Sequence, residues 1–202
     1  MKIDEMFVAI QKKLRVQADG RAGPETWGAI YALTVRATIS GEAPPEAIEP
    51  VDERSETNIA TLPLEVQPIA RSLVHKAALN GIQIKIISGF RTYAEQNKLY
   101  AKGRTKSVPK VTNAREGYSN HNFRVAFDVE IFEGYKYLGE SVKYRAVGVL
   151  GTDLGLEWGG NWTSIVDQPH FQLRPSWATD YTAAEMLAKA RSRVSNGAGL
   201  FA

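Results

Sequence analysis

The chain has 202 residues, 44% of them hydrophobic, with a formal net charge of +3 and no cysteine. That length accommodates one full-sized domain with something smaller attached, and the apolar share supports a packed core. Without thiols there are no disulfides and no thiolate metal sites, so a metal would have to be held by imidazole and carboxylate, and the chain offers three histidines.

The N-terminus Met1-Lys2-Ile3-Asp4-Glu5 lacks the basic-then-apolar order of a signal peptide, and no run of about 18 apolar residues follows it. The expectation is a protein made in the cytoplasm, without membrane insertion. Phe7, Ile10 and Leu14 recur at helical spacing and predict a short amphipathic helix. Asp19-Gly20 and Gly23-Pro24 are turn signals, and Pro24 suits the first turn of a second helix carrying Trp27, Ile30 and Tyr31. This segment, residues 1–37, resembles the core of the peptidoglycan-binding helical repeat, which implies a helical hairpin that docks on glycan. Residues 38–60 hold Gly41, Pro44, Pro45 and Pro50, with six acids against Arg54, and predict an extended acidic linker. The rest of the chain is correspondingly basic and would be drawn to a polyanion such as nucleic acid, an anionic membrane or a cell-wall polymer. No basic-aromatic surface motif supports nucleic acid.

Residues 61–202 form the predicted main domain. Val66, Ile69, Leu73 and Ala77 mark one face of a helix that starts at Pro63 or Pro68 and stops at Asn80-Gly81. His75 lies off that stripe and reads as a surface residue. Ile82, Ile84 and Ile86 alternate with polar residues as a half-buried strand. Ser88-Gly89-Phe90-Arg91 closes it, and Thr92 with Glu95 has capping-box spacing for a helix through Leu99 and Tyr100 to Gly103. Arg91 therefore stands at a strand end, where its planar fork suits a substrate carboxylate or a surface ion pair. Lys106 to Gly117 reads as a polar loop at the rim of a site.

Val125, Phe127, Val129 and Ile131 then alternate with Arg124, Ala126, Asp128 and Glu130, so Asp128 faces away from the large apolar side chains. A turn at Glu133-Gly134 predicts a return strand through Tyr135 and Tyr137. Ser141 caps a predicted helix with Val142, Ala146, Val149 and Leu150. The stretch from Glu157 to Gln172 gathers Trp158, Gly159, Gly160, Trp162, Asp167 and His170, which reads as the floor of an active site. A last strand at Phe171, a closing helix from Thr182 and a mobile tail from Ser195 complete the chain.

His121 and Asp128 are seven positions apart. Seven extended residues span roughly 23 Å and two helical turns roughly 10 Å, so neither regular form lets both side chains grip one ion. A bend at Asn122-Phe123 would let them face one point, with His170 arriving from a neighbouring strand. Three ligands of this kind leave a fourth tetrahedral position for water, the arrangement of catalytic zinc. Asp167 could then exchange a proton with that water and with a leaving amine.

Ser119-x-His121, Asp128 and Asp167-x-Pro169-His170 together resemble the zinc peptidases of the D-alanyl-D-alanine carboxypeptidase and VanY class, and within it the L-alanyl-D-glutamate peptidases of phage endolysins. The likeness runs from Leu64 to Leu173 and takes in Ser88-Gly89-Phe90-Arg91, Gln96 and Glu157-Trp158-Gly159-Gly160. It implies an α+β fold with a small antiparallel sheet flanked by helices. It also implies one Zn2+ on His121, Asp128 and His170, Asp167 as catalytic acid/base, and Arg91, Ser119 and Gln96 as substrate-binding residues. The implied partner is the peptidoglycan stem peptide, met by a monomer that acts on the bacterial cell wall after release. Release of terminal D-alanine by a D,D-carboxypeptidase is the alternative within enzymes, and a non-catalytic wall-binding protein is the alternative outside them. The family usually has glycine three residues after the first histidine, where this chain has Arg124. Either the backbone there avoids positive φ, or Arg124 serves the cleft.

Overall fold

Ser55 and Asn58 decide where the main domain begins. In the computed structural model, which describes residues 3–14, 18–20, 49–104, 111–163 and 165–201, they lie on helix α2 (Glu53–Ile59), capped by the Asp52 carboxylate. The Ser55 hydroxyl accepts from the Ile86 N–H at 2.9 Å and Asn58 donates to the Ile86 carbonyl at 3.0 Å, so the helix satisfies the backbone of an edge strand. Glu56 grips Arg71 with a two-bond fork at 2.8 and 2.6 Å. The expected linker over 38–60 is therefore corrected from residue 49 onward, since the larger compact unit runs from Glu49 to Ala202. Composition hid this helix because it is held mainly by polar side chains, with Ile59 as its one buried apolar residue.

In the smaller unit, Met1–Ile48, helix α1 (Ile3–Leu14) is formed as predicted. Buried Gln11 donates to Asp19 and accepts from the Gly20 N–H, both at 2.8 Å, which fastens the Asp-Gly turn to the helix. The predicted second helix around Trp27 lies outside the described residues.

The main domain is α+β. Helix α3 (Gln67–Leu79) buries Ala70, Leu73 and Ala77, and Gly81 at φ 70° turns the chain into strand β1 (Gln83–Ser88). Helix α4 (Tyr93–Ala101) starts on the Thr92–Glu95 capping box. Strand β2 (Ala126–Glu133) is central: it pairs antiparallel with β1 on one edge. On the other it pairs with β3 (Lys136–Leu138) and β5 (His170–Gln172). Strand β4 (Glu157–Trp158) extends the sheet beyond β5. Phe127, Val129, Ile131 and Phe171 point to one face and are fully buried beneath α3 and helix α5 (Lys143–Asp153), with the rings of Phe127 and Phe171 stacked at 5.9 Å. The opposite face carries Asp128 and His170, which are paired directly across β2 and β5.

Two expectations change. The buried face of α5 is Tyr144, Val147, Gly148 and Gly151, whereas Val142 and Val149 are exposed. A Cβ on Gly148 would come within 2.3 Å of Trp158 and one on Gly151 within 2.4 Å of Phe171, so the glycines are the contact surface and an apolar count misplaces the stripe. The tail after helix α6 (Ala183–Ser195) is also fastened: Trp177 donates to the Leu200 carbonyl at 2.7 Å and Phe201 packs against the core.

Candidate metal centre

The bend required between His121 and Asp128 is a short 3-10 turn, Asn120–Phe123, closed by Arg124 in the left-handed region at φ 61°. Arg124 is the one non-glycine residue with positive φ among the described residues. The backbone thus keeps the conformation glycine would favour, and the first of the two expectations for Arg124 is corrected. So is the second. The Arg124 side chain leaves the cleft, lying 4.3 Å over the Phe90 ring with one amine 3.5 Å from the Thr61 carbonyl.

After the turn the chain enters β2, which puts Asp128 on the polar face opposite His170. A β-bulge at Ile87 lets Ser88 pair with Asp128 from the other side. Asp128 Oδ1 then lies 3.1 Å from His121 Nε2 and 3.2 Å from His170 Nδ1. Ligand atoms of the three residues all fall within 4.8 Å of one another. Tetrahedral zinc with bonds of about 2.0–2.1 Å needs neighbouring ligand atoms about 3.3 Å apart, and the His–Asp spacings match that closely. Each ring's other nitrogen is tied off: His121 Nδ1 lies 2.7 Å from the Gly89 carbonyl and His170 Nε2 lies 3.0 Å from Gln172 Oε1. Such outer bonds fix the tautomer that turns a lone pair to the metal.

Electrostatics agree with a cation site. Burial alone would raise the Asp128 carboxyl, but the two imidazoles outweigh it and hold its pKa well below the usual aspartate value. Burial alone would lower His170, and hydrogen bonding to Asp128 raises it instead. Asp167 is half-buried at the same cleft, and burial first, then the Asp128 charge, pushes its carboxyl above the ordinary value. The cleft has a volume of about 360 Å³ and is lined by Arg91, Ser119, Tyr137, Trp162 and Asp167 beside the triad.

Of the other predicted residues, Arg91 and Ser119 do face this cleft. Arg91 also supports the triad, with one amine 3.1 Å from Ser88 Oγ and 3.4 Å from Asp128 Oδ2. Gln96 does not face it: it is fully buried, accepting from Arg91 at 3.0 Å and donating to the Ala114 carbonyl, so it positions Arg91. The first part of the expected rim loop, residues 106–110, lies outside the described residues. His75 is remote from the triad and meets the Glu49 carbonyl at 2.7 Å.

Several supporting residues escaped sequence reasoning. Buried Asn122 accepts from the Gly117 N–H and donates to the Arg91 carbonyl, tying the turn to the strand end. Asn120 donates to Gln172, while its own Oδ1 is buried with no hydrogen-bond partner. Gln172 sits two residues along β5 from His170 and Glu157 lies directly across from Gln172, so both share the polar face, the one pattern that could have exposed them.

A family model described as D-alanyl-D-alanine carboxypeptidase matches residues 112–173, the span that holds all three triad residues and Asp167. The peptidoglycan L-alanyl-D-glutamate endopeptidase CwlK of Bacillus subtilis is 35% identical over 131 residues, covering 57% of this chain and 77% of that protein. The chain belongs to this peptidase family. A further relative, the L-alanyl-D-glutamate peptidase of Listeria phage A118, is 28% identical over 122 residues, covering 59% of this chain but 40% of that protein. Among solved structures, the Serratia marcescens L-Ala D-Glu endopeptidase ChiX aligns with a TM-score of 0.49 at 23% identity, covering 65% of this chain and 92% of the other. Among the described residues, the His-Asp-His group is where a metal ion could be held.

Proposed function

We propose that the chain hydrolyses the stem peptides of peptidoglycan at the L-alanyl-D-glutamate bond, with His121, Asp128 and His170 holding the zinc ion. The observation that carries this is three ligand atoms within 4.8 Å on the floor of a cleft whose wall includes a carboxylate of raised pKa. The relatives named for this bond supply the choice of substrate. Held by these residues, a zinc ion would supply Lewis-acid polarisation of the peptide carbonyl and a lowered pKa for water.

The chain's own groups account for the rest. Asp167 accepts a proton from the attacking water and returns it to the leaving amine, a role that a desolvated carboxyl suits because it can hold the proton between steps. Arg91, anchored by Gln96 and Ser88, presents its remaining donor capacity to a substrate carboxylate, and the Ser119 hydroxyl stands beside it at the cleft wall. Trp162 packs 4.9 Å from the His170 ring and forms part of the cleft wall. No helix of the described residues is long and apolar enough to cross a membrane. The Asp19-Gly20 turn fastened to α1 is the part of the N-terminal unit that accords with glycan docking.

Purified sacculi digested by the zinc-loaded protein should yield new D-glutamate amino ends by mass spectrometry. Release of free D-alanine without such ends would replace this reading with the D,D-carboxypeptidase one. Binding to sacculi without any cleavage would leave a wall-binding protein.

A further inference from the structure

We infer that Glu157 is a positioning residue for the metal centre: through Gln172 it fixes which nitrogen of His170 faces the ion. The inference rests on the zinc reading above and concerns residues outside the proposed ligand set, which act on it through His170. Glu157, Gln172, His170 and Asp128 occupy one face of the sheet, because Glu157 pairs with Gln172 across β4 and β5 and His170 pairs with Asp128 across β5 and β2. Glu157 Oε2 accepts from Gln172 Nε2 at 2.5 Å, while its Oε1 accepts from Arg174 Nε. Arg174 is in turn held by the carbonyls of Ala178 and Tyr181, at 3.0 and 2.9 Å.

The direction of every bond in this chain follows from one end. A guanidinium only donates and a carboxylate only accepts, so the Arg174–Glu157 pair leaves an acceptor facing Gln172. The Gln172 amide must then turn its NH2 to Glu157 and its oxygen the other way. That oxygen meets His170 Nε2 at 3.0 Å and the Asn120 amide nitrogen. The reversed amide would set oxygen against carboxylate on one side and NH2 against the Asn120 NH2 on the other. With an acceptor opposite it, His170 Nε2 carries the proton, and the lone pair stays on Nδ1, 3.2 Å from Asp128 Oδ1 where the metal is to be held. A side chain two bonds removed thus sets the tautomer of a ligand.

This polarity argument makes an unusual prediction about an almost isosteric change. Glu157→Gln keeps size and shape but supplies one acceptor and one donor where two acceptors are needed. Arg174 claims the acceptor, so the new NH2 faces Gln172, whose amide reverses and turns its own NH2 to His170. The imidazole then shifts its proton to Nδ1 and loses the metal-facing lone pair. Exchanging the two residues restores the order: in the double variant Glu157→Gln, Gln172→Glu the introduced carboxylate accepts from His170, from Asn120 and from the introduced amide.

The test measures zinc dissociation constants by chelator competition, together with the 15N chemical shifts of the His170 ring, for the full chain and both variants. Glu157→Gln should weaken zinc binding by about 10–100-fold and move protonation from Nε2 towards Nδ1. The double variant should recover both to within about threefold of the parent, a rescue that loss of a purely structural contact would not produce. Unchanged affinity and tautomer in Glu157→Gln, or a double variant no better than the single one, would overturn the inference while leaving the zinc reading intact. A parent chain that binds no zinc would overturn both.

Discussion

The carbonyl oxygen of Gly89 lies 2.7 Å from Nδ1 of His121, and Gly89 itself has no room for a side chain. A Cβ there would stand 2.3 Å from Thr61 Oγ1 and 2.6 Å from the Asn58 carbonyl oxygen, so the strand end approaches helix α2 as closely as glycine permits. Gly89→Ala must push this strand end off the helix and carry the orienting carbonyl with it. We expect a stability loss of about 1–3 kcal/mol in denaturant titration and a weaker zinc site in the same protein. Zinc affinity equal to the parent would show that the carbonyl does not orient the ring.

Asp167 and the triad make separable contributions. Asp167→Asn keeps the size of the side chain and touches no ligand atom, so zinc stoichiometry should be retained. Turnover on a stem-peptide substrate should fall by about 10²–10⁴-fold. Equal turnover in the two proteins would remove Asp167 from the chemistry, and loss of zinc would make it a structural support of the centre.

The Arg71 fork holds the Glu56 carboxyl below the ordinary glutamate value, with the Val51 N–H adding to it against a smaller effect of burial. Because the folded-state pKa is the lower one, the pair's stabilisation is present above the unfolded value of about 4.3. It is lost as the pH falls through the folded value. The pair is partly exposed, so its worth is about 1 kcal/mol. Glu56→Gln should therefore lower the melting temperature at pH 7, and the gap to the parent should close on acidification below pH ~4. A gap independent of pH would mean that packing, and not the ion pair, links α2 to α3.

Arg124 separates backbone conformation from side-chain contact. A non-glycine residue in the left-handed region costs about 1 kcal/mol or more, partly offset here by its contact with the Phe90 ring. Arg124→Ala keeps the strain and loses the contact, and should melt lower than Arg124→Gly, which relieves the strain. Both should leave kcat/KM within about twofold of the parent, since the side chain points away from the cleft. A large loss of turnover in either would place Arg124 back in the site.

Much of this architecture is readable from spacing alone. The strand alternation around Asp128, the Thr92 capping box and the Asn80-Gly81 stop each correspond to a local rule with one outcome, and the structure follows them. The bend between His121 and Asp128 is also implied, because no regular element brings them together. What the sequence conceals is set by partners distant along the chain. Helix α2 is stabilised by Ser55 and Asn58 meeting Ile86, and the α5 face is made of glycines shaped to Trp158 and Phe171. Gln96 resembles a substrate contact until its amide is found spent on Arg91 and Ala114. Gln96 and Asn122, which serve other polar groups from a helix and a turn, carry no periodic signal.

The most direct measurement is elemental analysis of the purified chain beside His121→Ala, Asp128→Ala and His170→Ala. The account predicts one zinc per parent molecule and a sharp fall in each variant while the fold persists by circular dichroism. A parent with no stoichiometric metal, or variants that retain it in full, would contradict the claim that these three side chains build the centre.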